Sequence, residues 1–178
     1  MKQIIIIIAL AGIIFACSVE HSKFTNIIEH QIGKPFVLPN SVDFGSKGCI
    51  VNYVDSSDCT ACRLKISQWK LFLSEINELC NDSVTLVFAV HPSIPKQIVS
   101  TLFKRENFSP IFLIDSANQI KTLNELGKDI RMHTFLLNAH GETIVIGNPV
   151  INPKIKKLYL DEIKKLLSPT EDIDETKN

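Results

Sequence analysis

Apolar residues at positions 62, 66, 69, 73, 76 and 80 recur in alternating steps of four and three. That spacing places Cys62, Ile66, Trp69, Leu73, Ile76 and Cys80 on one face and predicts a helix over 62–80. On either side of it the period changes. Residues Cys49 to Val54 form a short β-rich run bounded by Gly48 and by Asp55-Ser56-Ser57-Asp58. Val84 to Val90 is a continuous apolar run stopped by His91-Pro92, which is the pattern of a strand buried on both faces. A helix is expected over Ile94–Phe103, with Pro95 tolerated in its first turn. A strand follows over Ile111–Ile114, then a short helix near Ile120–Leu126. Thr134–Asn138 and Thr143–Gly147 read as strands joined by Ala139-His140-Gly141-Glu142 in a hairpin. The closing helix, Pro153–Leu167, carries Ile155, Leu158, Tyr159, Ile163 and Leu166 on its apolar side. Strand–helix alternation followed by a hairpin and a helix predicts an α/β fold, a mixed central β-sheet flanked by helices.

The ends depart from this pattern. Met1-Lys2-Gln3 supplies one positive charge, and Ile4 to Phe15 is apolar apart from Gly12. This is the charged start and short apolar core of an export signal, at about twelve residues too short for a mature membrane span. Ile14-Phe15-Ala16-Cys17 follows, and it resembles the lipobox of bacterial lipoproteins. The resemblance implies a signal peptide over 1–16, acylation at Cys17 and a lipid-anchored tether over 17–31. Ser18 stands where a retention aspartate would hold such a protein at the inner membrane. The expected location is therefore the cell envelope, anchored in the outer membrane and facing the periplasm. The domain is expected over 32–167, and the acidic, polar stretch 168–178 as a disordered tail.

Composition narrows the function classes. The chain has 178 residues, enough for one domain with a real core, and 45% of them are hydrophobic. With 19 Lys+Arg against 19 Asp+Glu the net charge is zero, so no basic footprint points to nucleic acid. Five cysteines are too few for a disulfide scaffold but enough for a redox or metal site. Export would place them where disulfides persist.

The candidate chemistry is Cys59-Thr60-Ala61-Cys62, directly after a buried strand and at the start of an amphipathic helix. A helix N-terminus offers unpaired N–H groups and partial positive charge, which favour a thiolate. Cys62 falls on the apolar face with Ile66 and Trp69, so Cys59 is expected to be the exposed, attacking thiol and Cys62 the shielded, resolving one. An inert local disulfide or half a zinc site are the alternatives. Zinc would need two further ligands, and the chain has neither a second C-x-x-C nor H-x-x-x-H, so no metal and no cofactor are assigned.

Cys49 starts the strand and Cys80 ends the helix that runs back along it, so both lie at the pole opposite Cys59–Cys62. A structural Cys49–Cys80 disulfide is one expectation there; two buried thiols are the other.

Three segments carry a resemblance to a family. Val51-Asn52-Tyr53 with Cys59-Thr60-Ala61-Cys62-Arg63 is similar to the strand and C-x-x-C-R segment of thioredoxin-like proteins, most closely the TlpA/ResA-type membrane-tethered thiol–disulfide oxidoreductases. His133 to Ile144 resembles their later hairpin, and Phe108-Ser109-Pro110 to Asp115 the F-P-x-x-x-D strand of the redoxin group. The resemblance implies a thioredoxin-like fold over about 32–167, with Cys59 as nucleophile and Cys62 as resolving thiol. The implied partners are exported cysteine-containing proteins, a membrane or periplasmic thiol reductant, and the lipid membrane through Cys17, for a monomer. The chain departs from the family at Asp58, where tryptophan is usual, and at Asn52, which aligns with thioredoxin's buried acid. It departs again at Met132, which takes the cis-proline position next to His133. These departures keep a second reading open: a non-catalytic binding lipoprotein on the same fold, for copper or a protein partner, with a structural Cys59–Cys62 disulfide. His91 and His133 are expected as solvated loop histidines. Either would be a copper ligand if the chain followed the related SCO-type chaperones, whose cysteines are spaced C-x-x-x-C.

Overall fold

A computed structural model describes residues 28–39, 42, 47–55, 64–80 and 84–167, the side chain of Cys80 excepted. Strand β1 is Cys49–Val54, followed by α1 (Ile66–Cys80), β2 (Thr85–Val90), α2 (Lys96–Arg105) and β3 (Ile111–Ile114). Helix α3 is Gln119–Leu123; a 3₁₀ turn over Ile130–Met132 leads into β4 (Thr134–Leu137), β5 (Thr143–Ile146) and α4 (Pro153–Leu167). The five strands lie in the order β3-β2-β1-β4-β5. β1 pairs parallel with β2, and β2 with β3. β4 and β5 join antiparallel, Asn52 facing Thr134 and Phe135 facing Ile146. The mixed sheet expected from the pattern is present.

β1 is central, and every residue of it is buried. Alternate side chains along a strand point to opposite faces, and here the two faces have different covers. Ile50 and Val54 meet Trp69, Phe72 and Ile76 of α1, Val99 and Phe103 of α2, and Tyr159 and Ile163 of α4. Both β-α-β crossovers run in one direction, and their common right hand puts α1 and α2 on the same face. Aromatic edges interlock there: Trp69 against Phe88 at 5.9 Å and Phe88 against Phe103 at 5.2 Å. Cys49, Val51 and Tyr53 face the other way, toward Phe36, Leu38, Ile120 and Leu126. That thinner cover consists of α3 and an N-terminal strap.

The strap also closes an edge of the sheet. Gly33 N–H donates to the Thr143 carbonyl, Thr143 N–H to that of Lys34, and Phe36 N–H to that of Gly141. Asn124 fastens the next turn of chain, its side-chain oxygen accepting from Val37 N–H at 2.7 Å and its amide donating to Val37 O at 2.9 Å.

One expectation changes. The helix expected from Cys62 begins at Ile66, because Lys65 sits at φ +42° and breaks the helical path, although Leu64 before it is helical and fully buried. A non-glycine residue in this left-handed region costs about 1 kcal/mol, and no local sequence signal marks it. The expected Cys49–Cys80 bridge involves the Cys80 side chain, which lies outside the described residues; Cys49 itself is buried on the strap face. Gly48, just before, is held at φ +131°, and a Cβ there would run into the Leu137 carbonyl oxygen. Only glycine fits at this entry to β1.

Candidate active site

The C-terminal ends of the three parallel strands and the start of β4 meet at one edge of the sheet. Backbone hydrogen bonds continue past the strands: His91 N–H donates to Val54 O, Asp115 N–H to Val90 O, and Tyr53 N–H to His133 O. Residues 55, 91, 115 and 133 thus ring this edge. β1 lies between a parallel and an antiparallel neighbour, so the sheet changes direction there, the kind of point where open α/β sheets place their sites. The chain leaves this edge at Asp55 and re-enters the described structure at Leu64. Cys59 and Cys62 belong to the segment between, outside the described residues; Cys17, in the N-terminal stretch, lies outside them too.

A buried polar cluster supports this edge. The Tyr53 hydroxyl donates to Asp115 Oδ2 at 3.3 Å. Asp115, 3% exposed, also accepts the N–H groups of Ile120 at 3.0 Å and Lys121 at 3.1 Å, so one carboxylate caps the start of α3. Lys121 Nζ then reaches back 2.7 Å to Asp55 Oδ2. Burial and the negative charges of Asp115 and Asp55 push the Tyr53 phenol far above its ordinary pKa, so it remains a donor. Asn52, the position aligned with the family's buried acid, is 4% exposed and accepts from Thr134 Oγ1 at 2.9 Å. It ties β1 to β4 and exchanges no proton.

The two histidines differ from each other. His91 is half-exposed, and its Nδ1 accepts from Ser93 N–H at 3.2 Å. His133, expected in solvent, is 2% exposed. Its Nε2 lies 2.8 Å from the Gly127 carbonyl, and a carbonyl can only accept, so Nε2 carries a proton. The ring also stands edge-on to Tyr53, centroids 5.7 Å apart. Burial of this ring follows from its place under the turn over 127–132, a tertiary feature that a residue beside a predicted strand does not reveal.

Met132 closes the 3₁₀ turn before β4, and every described peptide bond is trans, including its own. Asp129 caps that turn by accepting Arg131 N–H at 3.0 Å, and pairs with the Arg131 guanidinium at 2.7 Å. Beside Met132 opens a largely apolar cleft of ≈ 430 Å³, walled by Ile146, Ile151 and Ile155. Among the described residues no three His, Cys, Asp or Glu side chains gather as a metal site, and no helix is long and apolar enough to cross a membrane.

No protein-family model and no curated protein matches the sequence. Solved structures do. A protein assigned as thiol:disulfide interchange protein DsbE from Chlorobium tepidum superposes with a TM-score of 0.53 at 15% identity, covering 78% of this chain and 96% of its own. The fold is thioredoxin-like. A secreted thiol-disulfide isomerase from Corynebacterium glutamicum gives 0.52 at 14% identity, over 70% of this chain and 73% of its own. Yeast Sco1 with copper bound gives 0.51 at 14%, over 76% and 86%. At these identities the likeness speaks to the thioredoxin-like fold; chemistry rests on the residues.

The sequence singled out Cys59, Cys62, Met132 and His133, and of these the structure describes the last two. Met132 and His133 are brought to the edge from which the Cys59–Cys62 segment departs. Sequence reasoning passed over Tyr53, Asp55, Asp115 and Lys121. The signals for them were Tyr53's place in the Val51–Tyr53 segment and Asp115's at the end of the Phe108–Asp115 segment.

Proposed function

We propose that the protein is an exported, membrane-anchored thiol–disulfide oxidoreductase in which Cys59 attacks and Cys62 resolves. One observation carries this reading: the C-x-x-C segment springs from the C-terminal end of β1, where a thioredoxin-like sheet changes direction, and leads into α1. The Cys59 thiolate attacks a substrate disulfide, forming a mixed disulfide and expelling one substrate sulfur, which takes up a proton. Cys62, as thiolate, attacks the Cys59 sulfur, releases the second substrate thiol and leaves a Cys59–Cys62 disulfide. A dithiol reductant of the envelope returns two electrons and two protons, becoming a disulfide itself. The pair run in reverse would oxidise. Cys17 acylation would keep the domain near the membrane from which exported chains emerge.

The second reading, a copper-binding protein on this fold, draws on the likeness to copper-bound Sco1. His133 is its natural ligand, but the ring is buried and its Nε2 is committed to the Gly127 carbonyl. Burial of that ring, only 2% exposed, favours the redox reading. Insulin reduction with dithiothreitol, compared between wild type and Cys59→Ser, tests it. Turnover that disappears in Cys59→Ser is expected. No turnover in wild type, together with stoichiometric Cu(I) binding lost in His133→Ala, would replace it with the copper reading.

A further inference from the structure

Helix α4 turns two different faces outward and inward. Tyr159 and Ile163 are buried in the core, and Lys156 reaches Glu75 of α1 at 2.6 Å. At about 100° per residue, Lys154, Lys157, Leu158, Asp161, Lys164 and Lys165 occupy an arc of about 120° on the other side. The four lysines and Leu158 are exposed, Leu158 to 43%. The one acid in the arc, Asp161, accepts from Lys157 at 2.5 Å. That hydrogen bond, with the charges of Lys157, Lys164 and Lys165, holds its carboxyl below the usual carboxylate range. The basic residues of α2 form no such face, since Lys104 and Arg105 stand about 80° and 180° around the axis from Lys96.

The chain also enters the described structure beside this helix. Ile28 walls the same cleft as Ile151, Asn152 and Pro153 at the start of α4, and Ile28 and Ile151 are both exposed. Eleven peptide steps link Cys17 to Ile28, so their α-carbons are at most about 40 Å apart. Resting on the membrane-anchored reading above, we propose that the outer face of α4 docks on the headgroups of an anionic bilayer, with Leu158 entering the interface among the lysines. Lysine stems can lie along an apolar boundary while their ammonium groups stay with lipid phosphates. Each basic residue gains at an anionic surface, and the gain is screened by salt. A tether alone leaves the domain free to tumble; a docked helix gives it one orientation.

The full chain is reconstituted in vesicles whose acyl chains carry bromine near the headgroup, a contact quencher of indole. Leu158→Trp supplies the reporter, because the chain's one native tryptophan, Trp69, is fully buried. Quenching is expected in phosphatidylcholine mixed with phosphatidylglycerol, but not in phosphatidylcholine alone, and should fade as salt is raised. Lys154→Gln should lower the docked-to-undocked ratio about fivefold, and Asp161→Asn should raise it by a similar factor. Leu71→Trp, on α1 at a site 67% exposed, should stay unquenched. Quenching that ignores lipid charge, or is equal at the two reporter sites, overturns the proposal. So does a Leu158→Trp chain with native circular dichroism that floats with both kinds of vesicle yet stays unquenched, which leaves the anchor standing. A chain that floats with anionic vesicles alone, quenched at Leu158→Trp, keeps the docking face and removes the anchor. One that floats with neither removes both.

Discussion

At its N-terminal end β1 enters through Gly48 and Cys49, closed in by the Leu137 carbonyl and by apolar neighbours such as Phe36, Val87 and Leu137. At its C-terminal end, six residues on, the same strand is surrounded by Tyr53, Asp55, Asp115, Lys121 and His133. The first end is built by exclusion, with shape and dryness deciding what fits. The second spends buried polar groups, each of which has to be satisfied to be tolerated. A protein accepts that cost where it needs charge in a fixed place, so the two ends of one strand separate stability from chemistry.

The sharpest way to break this division is at the polar end. Cys59→Ser should reduce insulin-reduction turnover to background while the thermal midpoint stays near wild type, as followed by a coupled turbidity assay and calorimetry. Next in size is a packing change far from any sulfur. Trp69 is fully buried against Phe72 and Phe88, and Trp69→Ala should cost about 3–5 kcal/mol in urea unfolding. Cys49→Ser tests the apolar end directly. A hydroxyl placed among apolar side chains should cost about 1–3 kcal/mol, with turnover per folded molecule unchanged. A change in turnover there would dissolve the distinction between the ends.

The smallest effect concerns the turn beneath Met132. The Arg131 hydrogen bond and charge hold Asp129 below its ordinary pKa, although burial opposes them. A carboxyl depressed in the folded state stabilises it above the unfolded pKa of about 4, and that contribution fades as pH falls through the folded value. Asp129→Ala should therefore cost about 1 kcal/mol at pH 7 and less at pH 2. Urea midpoints at the two pH values measure it.

Much of the fold was legible because burial of the sheet wrote it into continuous or periodic apolar runs. Val84–Val90 reads as a strand since both of its faces are covered, and the 66, 69, 73, 76 spacing reads as α1 since one face is. What was hidden depends on relations the chain order does not carry. Lys65 breaks the helix with an ordinary residue in an unusual conformation. Lys121 and Asp55 are 66 residues apart, and only the stacking of α3 over β1 joins them. The C-x-x-C spacing was readable in the sequence alone; the charges at the C-terminal end of β1 were not.

The strap along β5 has a consequence for how the protein meets other chains. A sheet offers unpaired backbone groups at its two margins, and such margins recruit strands from other chains. One margin is already occupied by the protein's own residues 33–36. The other, β3, is four residues long and follows Pro110, which has no N–H to offer. The described sheet therefore presents little template for β-type aggregation, and cutting the strap away would expose β5, which at four residues is as long as β3.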